Sequence, residues 1–105
     1  MIETEIRTLL DAPAHGVAAP PLSRIEDTLT AGYAHALALE AERWRLERRL
    51  AQVASDLESE HGTLRDSELR KLSRSLRSAN ADLTQLRGLL GSLRERAAAV
   101  RASAA

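Results

Sequence analysis

Apolar residues recur at alternating steps of three and four along two long stretches of this chain. This spacing averages 3.5 residues, which keeps one stripe of side chains facing a partner helix over many turns. The stripe of the first stretch contains Leu22, Ile25, Leu29, Gly32, Ala36, Leu39, Arg43, Leu46, Leu50, Val53 and Leu57. The stripe of the second contains Leu69, Leu72, Leu76, Ala79, Leu83, Leu86, Leu90, Leu93, Ala97 and Val100. The pattern predicts an all-α protein built on an antiparallel two-helix coiled-coil hairpin.

The predicted hairpin covers residues 23–102, with arms at about 23–59 and 63–101 and a turn at 60–62. No proline follows Pro21, and strong helix formers dominate the rest of the chain. Two arms of similar length are what a hairpin requires. One seam between two helices makes a thin core, so we expect a third segment or a second copy of the chain to add to it.

Local signals mark the ends of these arms. Ser23 and Glu26 match the capping box, in which the side chain of each residue accepts a hydrogen bond from the backbone N–H of the other. Gly62 suits the left-handed backbone conformation just past a helix end, and Thr63 or Asp66 could cap the second arm.

The chain before the hairpin is predicted to be a short helix and a linker. Residues 1–10 have the spacing of a short amphipathic helix, and 11–22 form a linker of Pro, Gly and Ala. An isolated helix below roughly 12–15 residues is marginal in water, so this one needs something to pack against. Its apolar positions are Ile2, Ile6, Leu9 and Leu10.

The register of the hairpin follows from the sizes of the residues in the seam. Pairing residues whose numbers sum to 122 sets small side chains against large ones, which fills space as close packing requires. The next register, with a sum of 129, sets Gly32 against Ala97 and leaves a void. The favoured pairs include Gly32 with Leu90, Ala36 with Leu86, Leu39 with Leu83, Arg43 with Ala79, and Leu50 with Leu72.

Arg43 is the one charged residue in the predicted seam. A polar residue at such a position often restricts register at some cost in stability. We expect its stem to pack along Ala79 and its head to reach solvent, with Asp82 or Glu47 as the partner.

A second apolar surface lies outside the seam on the first long helix. Its apolar residues recur at steps of three and four. Together with the seam, they make this part of the helix apolar on nearly all sides, which is typical of a buried helix. Two glycines at the same height on the second helix cost about 1 kcal/mol each relative to Ala and permit a close backbone approach, although they could also be neutral exposed positions. The predicted partner-binding residues are Tyr33, Leu37, Trp44, Gly88 and Gly91. The occupant could be the chain's own first helix, a second chain or a different protein.

The charges are balanced overall but unevenly distributed. Residues 1–63 contain six Arg and eleven Asp or Glu, a balance of −5, and residues 64–105 contain nine Arg or Lys and four Asp or Glu, a balance of +5. Attraction between an acidic and a basic arm is the simplest interpretation. A basic stripe on the second helix leaves nucleic-acid binding as an alternative. The stripe consists of Arg70, Lys71, Arg74 and Arg77.

Several classes of function are not indicated by any motif. The chain has no cysteine, and His15, His35 and His61 lack the spacing of a metal site. No phosphate-binding loop, nucleophile elbow or HExxH motif occurs. We therefore expect no enzymatic activity, no cofactor, no metal and no small-molecule substrate.

The chain also lacks an apolar run of the ~18–20 residues that span a bilayer, and its acidic N-terminus is unlike a signal peptide. A cytoplasmic location is expected. Together these features predict a non-enzymatic helical interaction or scaffold module that forms a homo-oligomer, most simply a dimer, or binds a protein partner.

Overall fold

A computed structural model describes residues 1–56 and 62–104, with the side chains of 62–65 excepted. Three helices account for most of this part of the chain, which contains no strand. Helix α1 spans Ile2–Asp11, α2 spans Leu22–Asp56 and α3 spans Gly62–Ala104. The all-α prediction is confirmed, and α2 and α3 pack closely.

The start of α2 differs from the predicted cap. The carbonyl of Pro21 accepts hydrogen bonds from the backbone N–H groups of Arg24 and Ile25, at 3.1 and 3.3 Å. Ser23 therefore lies inside the first turn, and the prediction that it caps the helix is wrong. Proline has no N–H to leave unsatisfied, so it is well tolerated where a helix begins.

The described ends of α1 and α3 differ from the predicted ends by one to three residues. Helix α3 begins at Gly62, so this residue belongs to the helix rather than to a left-handed turn before it. The helix continues to Ala104, beyond the predicted end at 101. Residues 57–61, which include most of the predicted turn, lie outside the described part.

The chain divides into two compact units, Met1–Leu37 with Thr84–Ala105, and Ala38–Leu83. We call these the three-helix unit and the two-helix unit, after the number of helices that contribute to each. The three-helix unit holds most of the buried apolar residues that the structure describes. They are Ile6 and Leu9 of α1, Ile25, Leu29 and Ala36 of α2, and Leu86, Leu90, Leu93 and Ala97 of α3.

The two-helix unit has a thinner core. Val53, Ala79 and Leu83 are buried, but the other seam leucines that the structure describes in this unit are only half-buried. In a pair of helices, each seam residue is covered from one side only. In the three-helix unit, α1 covers the seam from a further side. The half-buried leucines are Leu39, Leu46, Leu50, Leu69, Leu72 and Leu76.

The predicted seam positions are confirmed as the inward face of both long helices. Each one that the structure describes is buried or half-buried, including Gly32 and Arg43. The 3–4 spacing identified these positions because helical geometry alone determines which residues share a face.

Candidate functional site

The predicted outer surface of α2 is exposed where it belongs to the three-helix unit. Leu37 is 67% exposed and Tyr33 is 41% exposed. Helix α1 does not cover them: its Ile6 lies against Gly32, on a different face of α2. Of the three possible occupants, α1 therefore does not cover Leu37, and binding by a second chain or a different protein stays a prediction.

Trp44 belongs to the two-helix unit and is 57% exposed. The guanidinium carbon of Arg48 lies 4.7 Å from the centroid of its ring. An exposed cation–π contact of this kind stabilises by roughly 0.5–1 kcal/mol and holds one face of the ring under a charge. More than half of the Trp44 surface is exposed to solvent beside this contact.

Gly88 and Gly91 lie on α3 in the three-helix unit. A Cβ atom built at either position would meet nothing within 4 Å. No described residue of this chain therefore makes the close backbone approach that these glycines permit. Their role in binding another chain stays a prediction.

Arg43 lies in the two-helix unit with its Nε 3.8 Å from Oε1 of Glu47. Glu47 was one of its two predicted partners. The Arg43 side chain is about a third exposed, so its head reaches solvent as expected. An i, i+4 pair at this exposure contributes little to stability.

The basic stripe of α3 borders a shallow surface depression of about 490 Å³ in the two-helix unit. Two arginines of the stripe already have partners within α3: Arg70 Nη2 lies 3.3 Å from Asp66 Oδ2, and Arg77 Nε donates to the Ser73 carbonyl at 3.5 Å. The depression is lined by Leu69, Arg70, Ser73, Arg74 and Arg77.

Two further depressions lie in the same unit. One of about 310 Å³ is lined by α2 alone, and one of about 220 Å³ is lined by both α2 and α3. The 310 Å³ depression is lined by Arg45, Arg48, Arg49 and Gln52, and the 220 Å³ depression by Leu39, Glu42, Ser75, Ser78, Ala79 and Asp82.

The described residues contain no group of His, Asp and Glu arranged to hold a metal ion.

The sequence did not indicate which residues hold α1. Arg96 of α3 donates to the carbonyls of Leu10 and Ala12, and His35 Nε2 lies 3.9 Å from Glu3 Oε1. Arg96 lies beside the buried Leu93 and Ala97, which in retrospect places it at the edge of the seam. That position alone could not show which segment it would contact.

No family model, curated protein or solved structure matches the chain. Among the helices that the structure describes, none has a stretch long and apolar enough to cross a bilayer.

Proposed function

We propose that this chain is a non-enzymatic helical interaction or scaffold module that self-associates, most simply as a dimer. The single observation that carries the proposal is the exposure of Leu37 after α1 has docked. Soluble monomers seldom leave large apolar side chains uncovered where they cluster, and Tyr33 lies one helical turn away on α2. A second copy or a partner helix would remove both from water.

The thin core of the two-helix unit supports the same proposal. Its seam leucines stay half-buried, whereas α1 completes the burial in the three-helix unit. A second chain packed along the two-helix unit would cover its half-buried seam leucines, as α1 covers the seam residues of the three-helix unit. The exposed Trp44 ring is the largest apolar group of this unit and would report such a contact.

We further propose that α2 and α3 form the antiparallel coiled-coil hairpin of the favoured register. In the three-helix unit, the position of Gly32 meets Leu90, a pair whose numbers sum to 122. In the same unit Arg101 Nη2 lies 3.4 Å from Glu26 Oε2, so partner numbers on α3 fall as those on α2 rise.

The two-helix unit contains the same order of contacts. Arg49 Nε donates to Glu68 Oε1 at 3.0 Å, while Leu39 and Glu42 share a depression with Ala79 and its neighbours. As residue numbers rise along α2, the numbers of the contacting residues on α3 fall, which supports an antiparallel arrangement in this unit too.

Light scattering on the full chain and on Leu37→Glu tests self-association. The parent should have twice the mass of one chain, and Leu37→Glu should have the mass of a single chain with its helix content retained. Val17→Glu is the matched control, because Val17 is a fully exposed apolar residue in the linker. A parent that is monomeric at every concentration, or a Leu37→Glu variant that stays dimeric, would contradict the proposal.

Nucleic-acid association is a second candidate, favoured by the depression along the basic stripe. No acid occurs between Glu68 and Asp82, and Arg74 lies at the centre of the stripe. The protein should then bind duplex DNA with an affinity that falls steeply as the salt concentration rises. The reason is that arginines bound to phosphates displace the counterions condensed on the DNA. Arg74→Glu should weaken binding much more than Arg94→Glu, an equal charge change elsewhere on α3.

A further inference from the structure

Five exposed residues of α2 recur at steps of three and four outside the seam. At 3.6 residues per turn their positions fall within about 80° of arc, so helical periodicity places them on one face. All five belong to the single helix Leu22–Asp56, and the structure leaves each of them exposed. We call them the outer stripe, which consists of Thr30, Tyr33, Leu37, Ala41 and Trp44.

The outer stripe has the same spacing in both directions from Leu37. The next positions lie four residues away on each side, and the following ones lie three residues further. Two copies laid antiparallel with Leu37 opposite Leu37 therefore face each other with residue numbers that sum to 74. Tyr33 then lies opposite Ala41 and Trp44 opposite Thr30, so each aromatic ring meets a small side chain, as close packing requires.

The charges at the two ends of the outer stripe complement each other. Acidic Glu26 and Asp27 precede it, whereas basic Arg45 and Arg48 lie at its carboxyl-terminal end. An antiparallel pair sets the acidic end of each copy against the basic end of the other, whereas a parallel pair sets like charges together. Asp27 and Arg45 lie at the same edge of the stripe, and neither forms an ion pair with a described residue of its own chain. Both are therefore available to a second copy.

We propose that two copies of the chain associate antiparallel through the outer stripe, with the two-fold axis at Leu37. The inference rests on the proposed self-association and names the surface that forms the dimer. A two-fold interface must be self-complementary, because each residue pair across the axis occurs twice. The outer stripe meets this condition in spacing, in side-chain size and in charge, which favours a second copy over an unrelated protein. Helix α1 contacts α2 at Gly32, on a different face, so it keeps its place in its own chain.

Cross-linking of single-cysteine variants tests this pairing, since the sequence contains no cysteine. Leu37→Cys treated with a short bismaleimide should give covalent dimer as its main product, because the two introduced thiols lie opposite each other at the axis. Thr30→Cys is the matched control. Its counterpart in the second copy is displaced by the distance between positions 30 and 44, about 21 Å at 1.5 Å per residue. Thr30→Cys should therefore give several-fold less covalent dimer than Leu37→Cys.

A mixed sample tests the same register with Leu37 left intact. Thr30→Cys on one chain and Trp44→Cys on the other face each other when residue numbers sum to 74. Mixing the two variants should therefore give a covalent heterodimer at several-fold higher yield than the homodimer that either variant gives alone. Mass spectrometry of the cross-linked peptides identifies the linked positions.

Charge reversal tests the ends of the outer stripe. Asp27→Arg and Arg45→Asp should each raise the dissociation constant of the dimer several-fold, because each sets like charges against each other at both ends. The double variant Asp27→Arg with Arg45→Asp should restore most of the lost affinity. Arg94→Asp, a charge reversal at an exposed position of α3, is the control and should leave the dissociation constant unchanged. Sedimentation equilibrium measures all four.

The results that overturn this interface differ from those that overturn self-association. If Thr30→Cys alone cross-links as well as Leu37→Cys, the helices do not pair antiparallel about Leu37. If light scattering shows a dimer but neither Leu37→Cys nor the mixed sample cross-links, the second copy binds elsewhere, so this interface is wrong and self-association stands. A double charge variant as weak as the single ones would contradict the pairing of Asp27 with Arg45. If the parent is monomeric under the same conditions, both proposals fall.

Discussion

Gly32 illustrates how one residue serves two contacts at once. It is buried on α2 between Leu90 of α3 and Ile6 of α1. Glycine inside a helix costs about 1 kcal/mol relative to alanine, so its presence here indicates a steric requirement. Gly88 and Gly91, which face open space within the chain, carry the same cost without such a contact.

We expect Gly32→Ala to lower the free energy of unfolding by roughly 1 kcal/mol. Overpacking a buried site costs about 1–3 kcal/mol, and the gain in helix propensity offsets part of it. Denaturant unfolding followed by circular dichroism measures the change.

Gly88→Ala and Gly91→Ala serve as controls and should raise the free energy of unfolding by up to about 1 kcal/mol each. If they also weaken self-association, the glycines lie in the interface between copies. A Gly32→Ala variant as stable as these two would show that Leu90 and Ile6 readily move aside.

At the scale of elements, α1 is the clearest case of a helix stabilised by tertiary contacts. Its ten residues are too few to fold alone, and its burial depends on Ile6 and Leu9 at one face. Arg96 then satisfies the carbonyls at its end. Each of these contacts comes from α2 or α3 rather than from α1 itself.

We expect Arg96→Ala to release the carboxyl end of α1 while leaving α2 and α3 helical. Hydrogen bonds to a charged group contribute about 1.5–3 kcal/mol, and partial solvent exposure places this pair at the lower end. Amide hydrogen exchange should become faster across residues 2–11. Arg94→Ala, an exposed neighbour, should leave exchange of α1 unchanged; equal effects of the two variants would mean that Arg96 does not hold the helix.

The pairing of the two long helices can be tested within the two-helix unit. In the register that sums to 122, cysteines at Leu50 and Leu72 lie opposite each other and should form a disulfide readily. Cysteines at Leu50 and Ala79 should not, because they are displaced by two helical turns. Non-reducing electrophoresis after mild oxidation distinguishes the two, and the reverse result would indicate the register that sums to 129.

For the molecule as a whole, the two units differ in how fully their seams are buried. Leu86, Leu90 and Leu93 are buried in the three-helix unit, whereas Leu69, Leu72 and Leu76 are half-buried in the two-helix unit. Burial of apolar area contributes roughly 25 cal/mol per Å², so the better-covered unit has the larger local stability.

In dilute protein we therefore expect the amides of residues 86–93 to exchange more slowly than those of 69–76. Raising the protein concentration should slow exchange in 69–76 if a second copy covers the two-helix unit. Mass spectrometry of peptides from these two stretches measures both. Equal protection of the two stretches at every concentration would contradict the difference in local stability.

The sequence by itself determined the helices and the inward face of each long one. Spacing by three and four is a property of neighbouring residues on one helix, so Leu29, Leu46 and Leu83 could be assigned to the seam without knowledge of any partner. The predicted outer residues Tyr33, Leu37 and Trp44 could likewise be placed off the seam. Their exposure is consistent with that assignment.

Only the tertiary structure decided where α1 docks and which residues hold it. Arg96 and the carbonyls of Leu10 and Ala12 are separated by more than 80 residues in the chain. Contacts at that separation leave no periodic signal, because each depends on the position of a third helix that the local spacing does not restrict. The amphipathic pattern showed that α1 needs a partner, and packing around Gly32 selected which face it meets.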